Sequence, residues 1–85
     1  MPSSALLMNR KIKLIWDFKG EDAKAIAEHH QLHLQEFGLK EHLPILASGV
    51  EKLNSIHFIA FLMVNENNVR IVRDALLPHR AEIET

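Results

Sequence analysis

The stretch AEHHQLHLQEF, residues 27–37, sets three histidines within five positions: His29, His30 and His33. His29 and His33 are one helical turn apart, a spacing that can present two imidazoles to one metal ion. The His-Glu-x-x-His pattern of zinc enzymes needs Glu directly after the first histidine, and His30 stands there instead. A zinc site also needs at least a third ligand, for which Glu28, Glu36, His57, His79 and Asp17 have suitable chemistry. The alternative is a polar helix flank with one half-buried histidine. On a helix, His30 shares a stripe with Ala23, Ile26, Ala27, Leu34 and Phe37. An imidazole placed there must find a hydrogen bond or bear the cost of desolvation.

A second constellation involves strand residues. His57 alternates with Ile59 and Phe61, and Asp17 alternates with Ile15 and Lys13. An imidazole beside a carboxylate can act as a general acid–base pair. His33, His57 and Asp17 are therefore the candidate catalytic groups. A mostly apolar surface rimmed by Trp16, His30 and His57 is the candidate ligand site. A filled core with a polar rim fits the same residues. A third grouping, Arg70, Arg73, His79 and Arg80, surrounds a second helix, as an anion site or as a solvated surface.

The elements that must position these groups follow from periodicity. KIKLIWDF, residues 11–18, reads as a strand with Ile12, Leu14, Trp16 and Phe18 on one face. Trp16 either packs under the helices or, with the strand flipped, lines the opposite face. Gly20 breaks the strand, and residues 21–37 form a helix for which Gly38 is the natural stop. Residues 45–53 make a second strand, with Gly49 as a bend or bulge. Residues 56–64 make a third, apolar on both faces. A second helix spans 65–77 and ends at Pro78, and HRAEIET can close the chain as an edge strand. Residues 1–9 are read as an irregular start.

This β-α-β-β-α-β order is the ferredoxin-like plan, an α+β domain with an antiparallel sheet and both helices on one face. The third strand then needs cover on its other side. In a chain of 85 residues, marginal on its own, the simplest cover is a second copy, so a homodimer through paired sheet faces is expected.

Composition narrows the function. The net charge is −1 without a basic stripe, against nucleic-acid binding. No segment approaches a membrane span, and the apolar run Ala5–Met8 is too short for a signal sequence. There are no cysteines, so neither disulfides nor thiolate sites arise, which fits a reducing cytoplasm. A Gly-rich phosphate loop and a nucleophile-elbow serine are both missing from the sequence.

The chain resembles the small dimeric α/β-barrel proteins, whose two ferredoxin-like sheets pack face to face, and within them the YCII-related branch. The residues carrying the resemblance are His33-Leu34 on the first helix and Ser48-Gly49 on the second strand, about fifteen residues apart as in that branch. The chain departs from it at Leu77-Pro78-His79, where the branch tends to carry an Asp-Pro step paired with the helix histidine. The resemblance implies a homodimer. From residues and resemblance together, the expected function is binding of a small organic ligand near the sheet interface. Two alternatives remain: an enzyme using a histidine base without a prosthetic group, or a histidine-coordinated metal protein.

Overall fold

The computed structural model describes residues 10–84. Strand β1 (Lys11–Lys19) leads into helix α1 (Ala23–Lys40), then β2 (Ala47–Asn54) and β3 (His57–Asn65). A single 3-10 turn, Glu66–Asn68, opens helix α2 (Val69–Leu76), and β4 (Arg80–Glu84) follows. The four strands form one antiparallel sheet in the order β2-β3-β1-β4. The fold is thus the expected ferredoxin-like α+β arrangement. The irregular start expected at residues 1–9 lies outside the described residues.

Alternation in β1 and β3 sorts the side chains. Ile12, Leu14 and Trp16 share a core with Ala60, Leu62 and Val64, closed by Leu34 and Leu43 from the α1 side and by Val72 of α2. Trp16 therefore packs under the helices, which settles the two orientations left open by the sequence. Its indole N–H donates to the Leu76 carbonyl at 2.8 Å, tying the end of α2 to β1. On α1, Ala23, Ala27 and Leu34 are buried and His30 and Phe37 half-buried, but Ile26 is 49% exposed. The buried stripe is narrower than the periodicity suggests.

Gly20, at φ +119°, makes the sharp exit from β1, and Gly38 behaves differently from expectation. Helix α1 runs through Gly38 to Lys40. A methyl group on Gly38 would stand 2.1 Å from Ile45 Cδ1, so this glycine permits close packing and does not end the helix. The stop is a Schellman turn: the Leu43 N–H reaches Gly38 O at 2.8 Å, the His42 N–H reaches Leu39 O at 3.3 Å, and His42 takes φ 54°. The second strand also differs from expectation. Gly49 lies in regular register opposite Phe61, whose ring covers it, and the bulge falls between Lys52 and Asn54.

Replacing His42 by glycine removes the penalty of a side chain in the left-handed region and should raise stability by about 1 kcal/mol. Gly38→Ala should lower stability, because overpacking against Ile45 costs about 1–3 kcal/mol and outweighs the helix-propensity gain. Urea unfolding of the two variants checks both signs. Stabilisation by Gly38→Ala would show that the glycine is merely a helix defect.

Candidate functional site

The face of the sheet turned away from the helices carries the odd-numbered residues of β1 and β3. At its centre, Ile15 and Ile59 are only 1% and 2% exposed, although among the described residues no second layer lies over them. Among the described residues, neighbouring strands flank both. Ile15 stands between Phe61 and Arg80, and Ile59 between Asp17 and Glu51. Lys13 crosses β3 with its ammonium 4.6 Å from the centre of the Phe61 ring and reaches Glu51 at 2.7 Å. Long charged side chains laid over apolar floor in this way bury their stems and keep their heads in water.

At one end of this face the charges converge on Asp17. The Arg80 guanidinium forks onto its carboxylate, Nε to Oδ2 at 3.0 Å and Nη2 to Oδ1 at 3.1 Å. His57 Nε2 lies 2.7 Å from Asp17 Oδ1, with both side chains about one-fifth exposed. The backbone N–H of Asp17 donates to His79 Nδ1 at 2.8 Å. One residue of β1 thus gathers groups from β3, from β4 and from the turn before β4. The Arg80 hydrogen bonds hold the Asp17 carboxyl down, against the opposing effect of burial and with a further contribution from His57, at about 2. An ionised carboxylate can only accept, so neutral His57 must carry its proton on Nε2 and present Nδ1 as an acceptor. A histidine oriented by a carboxylate in this way is equipped for acid–base work or for receiving a ligand's hydrogen bond.

The structure brings two of the three candidate catalytic residues together, and they are Asp17 and His57. His33 stands apart because α1 covers the opposite face of the sheet and His33 points outward from it, 58% exposed at the side chain. The candidate ligand set divides in the same way. Trp16 and His30 meet under the helices with ring centres 5.2 Å apart, and strand alternation places His57 on the other face. Trp16, 3% exposed and bonded to Leu76, is a core residue and lines no rim. His30 lies between the rings of Trp16 and Phe18, and its Nε2 is buried without a hydrogen-bond partner. Burial, reinforced by the neighbouring His33, His79 and His29, pushes its pKa below the ordinary value.

The candidate metal pair, His29 and His33, does meet, with Nε2 atoms 2.9 Å apart on the outer face of α1. Among the described residues no group of three or more potential ligands surrounds an ion position. The basic cluster is split. Arg80 and His79 serve Asp17, and Arg70 and Arg73 flank a cavity of about 390 Å³ with Ile12, Glu66, Asn67 and Val69. Ser48, on the dipeptide that carried the family resemblance, receives the amides of Gln31 at 3.2 Å and Gln35 at 3.3 Å. His33 binds His29 and Glu36 instead. The His–Asp pair in this chain joins β1 to β3.

Sequence reading missed Arg80 as the partner of Asp17. The only signal was the alternation of Arg80 and Glu82 in the last strand, which fixes a shared face but not its register against β1. Among the described residues no helix is long and apolar enough to cross a membrane. Comparisons of the chain with protein-family models, with curated proteins and with solved structures found no match.

His30 and Asp17 predict a two-stage acid response. His30 binds a proton more readily unfolded than folded, so stability should fall as pH drops below about 6.5. Asp17 has the opposite chemistry and the same sign. Its contribution is complete above 3.8 and is lost as pH falls towards about 2. After discounting for solvent screening it should be worth about 1 kcal/mol. Denaturant unfolding across this range should show the upper stage flattened in His30→Phe and the lower in Asp17→Asn. Unaltered profiles in both variants would contradict the assignments.

Proposed function

We propose that this chain is a cytoplasmic homodimer that pairs its uncovered sheet faces and binds a small organic ligand between them, with His57 as the polar contact. The observation that carries this reading is the oriented His57–Asp17 pair at the end of an apolar strip, on the sheet face that carries no helix among the described residues. Half-buried Phe61 and Met63 give that strip more apolar surface to bury. The surrounding charges alternate in sign, Lys13 and Arg80 against Glu51 and Glu82, which suits a two-fold contact of the face with itself. Because the Arg80 guanidinium is engaged by Asp17, a ligand anion has a poor claim on it. An acceptor nitrogen beside apolar floor favours a largely apolar molecule with one hydroxyl donor, such as a phenol or an enol. The resemblance to the dimeric α/β-barrel proteins supports the same arrangement.

A second reading rests on the same tautomer. With Nε2–H held by Asp17, His57 Nδ1 could accept a proton from a bound substrate, making the protein an enzyme with a histidine base and no prosthetic group.

Native mass spectrometry should show a dimer, and Phe61→Glu should give a folded monomer by placing charge in the apolar strip. NMR titration of the dimer with simple phenols should move His57 and Phe61 resonances, with the response lost in His57→Ala. A wild-type monomer, or a dimer indifferent to Phe61→Glu, would overturn the pairing. Phenol shifts centred on the cavity at Arg70 and Arg73 would overturn the site.

A further inference from the structure

His29 and His33 lie side by side on the exposed face of α1, an 18-residue helix that holds their Cα positions firmly. Their rings meet edge to face at 82°, centres 4.5 Å apart, with the two Nε2 atoms aimed at one another at 2.9 Å. A carboxylate oxygen of Glu36, one turn further on, sits 3.2 Å from His33 Nδ1. The Glu36 carboxylate beside Nδ1 favours a proton on that nitrogen and so leaves Nε2 of His33 as a lone pair. That is the tautomer a metal requires, and a carboxylate behind a ligating imidazole is the usual way of fixing it. In the metal-free pair His29 donates its Nε2 proton to His33; moving that proton to Nδ1 of His29 frees the second lone pair.

The separation bears on which coordination geometry the pair can reach with least movement. Two imidazole nitrogens at about 2.0–2.1 Å from an ion are roughly 2.9 Å apart when they subtend a right angle, and roughly 3.3 Å apart at the tetrahedral angle. The hydrogen-bonded spacing of 2.9 Å is close to the right-angle value, so tetragonal Cu(II) or Ni(II) can replace the shared proton with little change in the separation of the two nitrogens. We propose that His29 and His33 form an open two-imidazole chelate for Cu(II) or Ni(II), oriented by Glu36 and completed by water. The site lies on the opposite side of the molecule from His57 and does not depend on the function proposed there.

Calorimetric titration of the purified full chain with Ni(II) at neutral pH tests this. One ion should bind per chain. His29→Ala and His33→Ala should each weaken binding by about a hundredfold, the advantage of a second ligand held on the same scaffold. Glu36→Gln should weaken it by about tenfold through loss of the orienting carboxylate. His42→Ala should bind as the parent does. Circular dichroism establishes that the variants are folded, as expected for exposed positions. The electron paramagnetic resonance spectrum of the Cu(II) form should be tetragonal with coupling to two nitrogens, reduced to one in either histidine variant. Failure of the parent to bind, parent-like affinity in both single variants, or dependence on His42 would overturn the proposal.

Discussion

Trp16 holds β1 in one orientation, and the placement of every polar group of interest follows from that. Its indole fills the centre of the helix-covered core and spends its one donor on the Leu76 carbonyl. A buried indole whose N–H lost this partner would bear the cost of an unmet hydrogen bond. With Trp16 fixed, the two-residue period of the strand sends Ile12 and Leu14 the same way and Lys13, Ile15 and Asp17 the other. A one-residue slip would bury Asp17 beneath α1 and expose Trp16, so the register between β1 and β3 is strongly determined. The meeting of Asp17 with His57 is a consequence of a core packing decision made one residue away.

The face away from the helices meets a harder requirement, since among the described residues Ile15 and Ile59 have no second layer over them. Burying such side chains is worth about 1.5–3 kcal/mol each. The chain achieves this with amphipathic neighbours: Lys13 spans β3 over Phe61 to Glu51, and Arg80 leans from β4 to Asp17. These ion pairs are partly screened by water, and their direct energies are small. Their larger effect is to hold long aliphatic stems over the floor and to fix the donors around Asp17. Structure and candidate site therefore share the same side chains. His57 is held by a carboxylate that also fastens β4 to β1.

Much of this arrangement was legible in the residues. Alternation in KIKLIWDF and IHFIAFLMV identified both central strands and their faces, and the doubly apolar third strand signalled that the sheet's other side matters. Face assignments place Asp17 and His57 on one side of the sheet, and the antiparallel register of β1 against β3 brings them into contact. Other features were hidden for identifiable reasons. Gly38 carries the ordinary mark of a helix end, but the turn is formed at His42, and residues other than glycine take left-handed backbone only in a few per cent of cases, histidine among the more frequent. Gly49 looked like a bulge because its pairing with the Phe61 ring is a tertiary contact. Ile26 fell on the helical stripe by angle and outside the covered area in space. Three histidines close together in sequence proved to have two environments, His30 against aromatic rings and the other two in solvent, because 100° per residue separates neighbours on a helix.

The account rests most heavily on the state of one imidazole. Nitrogen-15 NMR correlation of the histidine side chains at neutral pH identifies which ring nitrogen of His57 bears the proton. If the Asp17 carboxylate holds His57 as described, the ring will be a single tautomer protonated at Nε2, and Asp17→Asn will release it to a mixture. A ring protonated at Nδ1, or a mixture already present in the parent protein, would contradict the pairing and with it the proposed site.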